Sequence, residues 1–298
     1  MRILCFFLLI ILSGCSSISP GHFSLSTNGD KNKLTVGDTL FFSLSNPKDH
    51  SLSDLRFSLN GKPIDSHFTI IEALGNQRLV VDFKAGDKPF SIRKQFVVFS
   101  KKAPDIYTYK LINTYPHDKN AYTQGLEFYK GVLYESTGQY GLSSIRKTAF
   151  ATGEVIQKLP LDASYFGEGL TFINDEAVQL TWKENLGFIY NPKDFKLLRS
   201  FNYGKSKEGW GLCNDGAVVY KTDGTEKLWK LDPATFEENG YVDIVTHNKL
   251  ISKVNELEYA NGLIYANTYQ FNKEVVLIIE PETGQVVGVV DFSGLKEQ

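Results

Sequence analysis

One short pattern recurs four times at nearly constant spacing and leaves few folds open. Gln124-Gly125-Leu126, Glu168-Gly169-Leu170, Trp210-Gly211-Leu212 and Asn255-Glu256-Leu257 begin 44, 42 and 45 residues apart. Each copy continues into an apolar run, at 132–134, 177–180, 217–220 and 263–266. A third run follows at 145–148, 188–190, 228–231 and 275–279. Turn residues come next, among them Asn191-Pro192, Asp232-Pro233 and Pro281-Glu282-Thr283-Gly284, and a last run closes each unit. Four strands per ~40–45 residues is the signature of β-propeller blades. No segment keeps a helical period, so the chain is predicted to be all-β. The glycines of the pattern suit positive φ or a close backbone approach to a ligand.

The region before the repeats reads differently. Residues 1–14 form an export signal: Arg2 is the positive n-region, and 3–12 is an apolar stretch too short to span a bilayer. Leu12-Ser13-Gly14-Cys15 resembles the bacterial lipobox, which makes Cys15 the lipidated residue and the membrane anchor. The expectation is a lipid-anchored protein of the bacterial cell envelope, on the periplasmic side, with the outer membrane as destination. Cys5 leaves with the signal and Cys15 takes the lipid, so Cys213 remains without an intrachain partner. In an apolar strand it reads as a small buried hydrophobe.

Residues 15–21 are a small-residue tether. From 22 to 103 short strands alternate with turns: 34–36 and 39–44 around Gly37-Asp38 read as one hairpin, and 55–59 with 62–64 around Asn60-Gly61 as another. Further strands are expected at 68–71, 77–83 and 92–99. About seven strands in ~80 residues suggest an Ig-like β-sandwich. Lys101-Lys102-Ala103-Pro104 serves as the linker to a propeller domain spanning 104–298, and 107–114 reads as a strand without a partner.

In a propeller the innermost strands line one channel, so equivalent positions converge. The ring positions here are Gln124, Glu168, Trp210 and Asn255, with Tyr122, Phe166, Trp182 and Tyr269 around them. That predicts an aromatic-walled pocket with one carboxylate and two amides, a site for a small molecule or a peptide end. The charge balance, 32 basic against 34 acidic residues, gives no reason to expect nucleic acid as a partner. The five histidines are scattered and none has metal-ligand spacing, so no metal and no cofactor is expected. No Gly-x-Ser-x-Gly and no phosphate-binding loop occurs. What remains is a lone carboxylate in an apolar setting, where burial raises its pKa and lets it pass a proton. Such a group suits a reaction whose nucleophile and electrophile belong to one substrate.

Several motifs together resemble the plant and bacterial glutaminyl-peptide cyclotransferase (glutamine cyclotransferase) family. They are Tyr122-Thr123-Gln124-Gly125-Leu126, 133–141, Phe166-Gly167-Glu168-Gly169-Leu170-Thr171, Gln179-Leu180-Thr181-Trp182-Lys183, Glu208-Gly209-Trp210-Gly211-Leu212 and Asn255-Glu256-Leu257-Glu258. The similarity runs over 109–295. It implies a five-bladed propeller, of which four blades are visible, and a monomer. The implied activity turns the N-terminal glutamine of peptides or proteins into pyroglutamate with release of ammonia, without a catalytic zinc.

The resemblance also implies roles: Glu168 as proton shuttle, Gln124 and Asn255 as hydrogen-bonding groups, and Phe166, Trp182, Trp210, Tyr122 and Tyr269 as walls. Glu135, Arg146, Glu256 and Glu258 read as braces between blades. Tyr122 stands where the family usually has Phe, Tyr269 where it has Trp, and Cys213 where it has Thr. A final blade carrying an active-site lysine is also implied and is not found before Gln298, so the propeller is expected to be C-terminally incomplete. Two rival readings are a non-catalytic peptide-binding propeller on a lipoprotein stalk and a calcium-dependent propeller hydrolase. The latter needs several oxygen ligands about one ion, and the ring supplies one carboxylate.

Overall fold

The computed structural model describes residues 18–295 other than 32, 66 and 270–273. The predicted export segment 1–14 and Cys15 lie outside the described residues. The chain divides into two compact units. The first holds the described residues up to 31 with Thr39–Thr69 and Gln77–Phe96; the second holds Lys33–Asp38, Ile70–Asn76 and the chain from Val97 onward.

Among the described residues, eight strands lie before residue 100: β1 (Ser24–Thr27), β2 (Leu34–Thr35), β3 (Thr39–Ser45), β4 (Leu52–Leu59), β5 (Lys62–Ile64), β6 (Phe68–Ile70), β7 (Gly75–Ala85) and β8 (Lys88–Phe99). They form a three-stranded sheet β1-β3-β6 and a five-stranded sheet β2-β8-β7-β4-β5. Aromatic side chains join the two: Phe42 lies 5.3 Å from Phe57, and Phe23 lies 4.8 Å from Phe83. The second predicted hairpin is present, with Phe57 opposite Ile64 and left-handed Asn60 and Gly61 at its tip. That Asn-Gly pair has the two positive φ values a tight hairpin demands.

The first predicted hairpin is absent. β2 runs parallel to β8, with Leu34 opposite Val98, while β3 pairs with β1. Gly37, at φ 85°, turns the chain from one sheet into the other instead of back along the same one.

The repeats give four antiparallel meanders in sequence order. The first comprises β10 (Thr123–Tyr129), β11 (Val132–Thr137), β12 (Ser144–Ala149) and β13 (Glu154–Pro160), after β9 (Asp105–Tyr107). The second comprises β14 (Gly167–Ile173), β15 (Glu176–Thr181), β16 (Leu186–Tyr190) and β17 (Leu197–Asn202). The third comprises β18 (Leu212–Asn214), β19 (Val219–Lys221), β20 (Lys227–Leu231) and β21 (Glu238–Asp243). The fourth comprises β22 (Val254–Ala260), β23 (Leu263–Thr268), β24 (Val275–Ile279) and β25 (Val286–Asp291). β9 adds to the fourth sheet in parallel, with Asp105 opposite Gly288 and Tyr107 opposite Val290. The strand expected over 107–114 is therefore confined to Tyr107, and 108–122 carries no strand. The strand expected over 217–220 starts at Val219, because the Asp215 carboxylate holds the amides of Ala217 and Val218 in a turn.

Apolar clusters fill the spaces between successive sheets. Leu170, Phe172 and Phe188 pack with Tyr134 and Ile145; Leu180, Ile189 and Tyr203 pack with Leu212 and Trp229; Cys213, Tyr220 and Leu228 pack with Leu257 and Ile264. Cys213 is buried there as a free thiol.

The motif glycines owe their place to these contacts. Gly125, Gly169 and Gly211 are not among the positive-φ residues. A Cβ on Gly125 would lie 2.5 Å from Leu170 N, one on Gly169 would lie 2.5 Å from Trp210 O, and one on Gly211 would overlap the Asn255 carbonyl oxygen. Each glycine lets the first strand of one sheet touch the first strand of the next, so the close approach is to a neighbouring backbone and not to a ligand. The fourth copy has Glu256 at this position, and its carboxylate accepts a hydrogen bond from Leu126 N–H of the first sheet.

Candidate active site

Three of the four motif copies sit on a break in strand register. The pairing skips between Thr123 and Gly125, between Gly167 and Leu170, and between Val254 and Leu257. Gln124, Glu168 and Asn255 fall inside these bulges. A bulge leaves one residue unpaired and re-aims its side chain. Trp210 occupies the corresponding place just before β18, its amide held by Thr222 O at 3.0 Å.

The four side chains meet at a cavity of about 300 Å³. Glu168 lines it together with the amides of Gln124 and Asn255 and the ring of Trp210. The wall is a chain of aromatic contacts. Phe166 lies 6.2 Å from Tyr122, edge on, and 5.4 Å from Trp182; Trp210 lies 5.9 Å from Tyr269, also edge on. Two glycines seat the largest rings. A Cβ on Gly138 would fall within the Phe166 ring, and one on Gly224 would lie 2.6 Å from Trp210 Cζ2. All eight residues expected at the site thus line this one cavity.

Sequence reasoning missed Gln139, which also lines the cavity from a left-handed backbone at φ 81°. It missed Glu208 and Glu184 as well. Glu208 Oε2 accepts the indole N–H of both Trp182 and Trp210. Glu184 accepts the Tyr140 hydroxyl at 2.8 Å, and the Tyr140 ring packs on Phe166 at 5.5 Å. A signal for Gln139 and Glu208 was present, since both stand in the quoted motifs.

Glu168 is 5% exposed, and no hydrogen bond reaches its Oε2. Burial first, then the charges of Glu208 and Glu184, push its carboxyl up to about 9. At neutral pH it holds a proton. The side-chain amides of Gln124 and Asn255 have no protein partner among the described residues, so their donors and acceptors are free for a ligand. Among the described residues no group of three His, Cys, Asp or Glu is placed to hold a metal ion.

Of the four residues read as braces, Glu135 and Arg146 hold the strandless stretch before β10. Glu135 accepts Thr123 Oγ1 at 2.5 Å and lies 2.9 Å from His117 Nε2, and Arg146 pairs with Asp118 at 3.0 Å. They tie this segment to its own sheet and not to a neighbouring one. Glu256 reaches across to the first sheet, as described above.

Four repeated meanders whose leading residues line one aromatic-walled cavity define a class of protein. The family model for glutamine cyclotransferase matches residues 89–298, and the chain belongs to that family. It is 36% identical over 188 residues to a glutaminyl-peptide cyclotransferase of Arabidopsis thaliana, covering 62% of this chain and 58% of the plant protein. The chain thus spans less than two thirds of that relative's length. The crystal structure of Myxococcus xanthus glutaminyl cyclase superposes with a TM-score of 0.60 at 35% identity, covering 65% of this chain and 81% of that one.

Proposed function

We propose that the protein is a glutaminyl-peptide cyclotransferase that converts the N-terminal glutamine of peptides or proteins to pyroglutamate with release of ammonia. The observation that carries this reading is Glu168: a buried carboxyl, protonated at neutral pH, with an unpartnered oxygen, in an aromatic cavity that two free amides also line.

The chemistry follows from the group's state. Burial keeps the Glu168 carboxyl in its acid form at neutral pH, so the substrate reacts as the free amine, whose lone pair is available for attack. The amine nitrogen attacks the carbon of the substrate's own γ-carboxamide, forming the lactam C–N bond. Glu168 gives its proton to the departing amide nitrogen as that C–N bond breaks, then takes the proton of the new ring nitrogen and ends as it began. One proton leaves the ring nitrogen and one joins the leaving group, so the step balances. Gln124 and Asn255 hydrogen-bond the polar groups of the substrate, and Phe166, Trp182 and Trp210 hold its methylene chain, with Tyr122 and Tyr269 beside them. Both reacting groups belong to one molecule, so the protein's tasks are positioning and proton transfer.

The same proposal takes the four meanders as blades of the family's propeller, acting as a monomer without metal or cofactor, and the first unit as an Ig-like sandwich. It places the protein on the periplasmic side of a bacterial envelope, held through lipid on Cys15. The test is incubation of the protein with a Gln-initiated peptide and with the matching Asn-initiated peptide, followed by mass spectrometry and ammonia assay. Ammonia loss from the Gln peptide alone supports the reading. Binding without loss from either replaces it with a peptide-binding propeller.

A further inference from the structure

The two pocket tryptophans come from different sheets, and nothing in their own strands fixes their indole planes relative to each other. Trp182 follows β15 of the second sheet, and Trp210 precedes β18 of the third. Yet both indole N–H groups end on one atom: Trp182 Nε1 donates to Glu208 Oε2 at 3.0 Å, and Trp210 Nε1 donates to the same oxygen at 2.9 Å. Hydrogen bonds to a carboxylate are shorter and stronger than neutral ones.

Glu208 is itself pinned. Lys221, with no exposed surface, donates from Nζ to the Glu208 main-chain oxygen at 2.8 Å and to Ser206 Oγ at 2.5 Å. Its Nζ also lies 4.3 Å over the Tyr203 ring, and Ser206 Oγ donates to Glu238. The next residue, Gly209, donates its amide to Trp182 O at 2.8 Å, and a Cβ there would lie 2.5 Å from Thr181 O. The main chain at 208–209 is therefore pressed onto the second sheet while the side chain reaches the two indole N–H groups.

We propose that Glu208 is a positioning residue that clamps Trp182 and Trp210 through one carboxylate oxygen and so sets the width of the slot that receives the glutamine side chain. This rests on the cyclotransferase reading for the identity of the substrate, but not for the clamp. A slot between two rings discriminates by shape, and a ring free to swing about its χ angles loses both contact and registration of the γ-carboxamide against Glu168. Misplacement on the order of 1 Å is enough to cost rate as well as affinity. Lys221 acts one step further out, by holding the Glu208 backbone.

Two variants of the full chain separate the clamp from general stability. Glu208→Gln keeps an oxygen acceptor at the same place, and Glu208→Leu removes it. The first readout is the indole region of a ¹⁵N–¹H spectrum. Trp182 and Trp210 should show the resonances of hydrogen-bonded N–H groups in wild type and in Glu208→Gln. In Glu208→Leu both should move and exchange faster with solvent. Trp229 bonds Asp223 Oδ2 at 2.7 Å and serves as the control for an intact fold. The second readout is turnover of a Gln-initiated peptide. KM should rise about 10-fold with a smaller fall in kcat in Glu208→Leu, with Glu208→Gln restored to about 2-fold of wild type. If wild type does not turn the peptide over, the cyclotransferase reading fails, and the Kd of the same peptide, read from the indole shifts, replaces KM. Unmoved Trp182 and Trp210 resonances in Glu208→Leu, or a wild-type KM or Kd in that variant, would overturn the proposal.

Discussion

Gly169 donates its amide N–H to the carbonyl oxygen of Trp210 at 2.8 Å, and a Cβ on Gly169 would sit 2.5 Å from that oxygen. The residue after the proposed shuttle is thus in backbone contact with the residue that forms the facing wall. The sheet-to-sheet contact and the active-site geometry are one feature, which is why the repeat places glycine next to its functional residue.

Gly169→Ala and Gly211→Ala should therefore damage the fold first and activity as a consequence. The added carbons meet backbone, which cannot swing aside, so each should cost about 2–4 kcal/mol. Denaturant titration of the two variants checks this. A loss within about 0.5 kcal/mol of wild type would show that the sheets can part at no cost.

The proposed slot predicts the behaviour of Trp182→Ala. The ring packs against Phe166 at 5.4 Å and is held by Glu208. Losing an aromatic contact worth about 1.5–3 kcal/mol should raise KM for a Gln-initiated peptide about 10–100-fold, with kcat less affected. Steady-state kinetics decide it, and an unchanged KM would remove Trp182 from the slot.

A pH dependence of stability follows from Glu168. Burial, then the charges of Glu208 and Glu184, raise its carboxyl from 4.5 to about 9, and the buried Glu256 carboxyl couples to it as well. Between those two pH values the unfolded chain has lost a proton that the folded chain keeps. The contribution of this group to stability is therefore complete below 4.5 and declines as pH rises toward about 9. Glu168→Gln, which cannot ionise, should gain on wild type across that window, by up to about 1.4 kcal/mol per pH unit. Urea titrations of both proteins at about pH 5, 7 and 9 measure the difference. A gap that stays constant with pH would mean that Glu168 is not held neutral by the fold.

An exposed aromatic cluster makes a prediction of another kind. Phe150 packs edge on against Phe128 at 5.5 Å and Tyr115 at 5.3 Å, and all three rings remain exposed. In a protein that works as a monomer such a patch drives only weak self-association at high concentration. The double substitution Phe128→Ser, Phe150→Ser should lower concentration-dependent association in sedimentation experiments and leave peptide turnover within about 2-fold, since neither ring lines the cavity. Unchanged association would show that the patch is inert.

Most of the repeat region was legible in the sequence because its order is local. Each meander joins neighbours along the chain, so spacing and turn residues carry the information. The cavity lining was legible because the same spacing that repeats the meanders brings Gln124, Glu168, Trp210 and Asn255 together. The parallel pairing of Leu34 with Val98 was not, because nothing in a turn at Gly37 tells which distant strand will accept the chain. Nor was the pairing of Asp105–Tyr107 on β25. Gln139 escaped because its entry depends on a left-handed backbone that glutamine seldom adopts. Glu208 was visible as a motif residue, but its purpose shows only when two indoles are seen to share one oxygen.

The proposed role of Glu168 as proton shuttle is tested directly by one comparison. Wild type and Glu168→Gln are incubated with a Gln-initiated peptide, and pyroglutamate formation is followed by mass spectrometry against an enzyme-free control. The account predicts cyclisation by wild type and a loss on the order of 10²–10⁴ in kcat for Glu168→Gln, with the peptide still bound. Cyclisation by Glu168→Gln at the wild-type rate would contradict it.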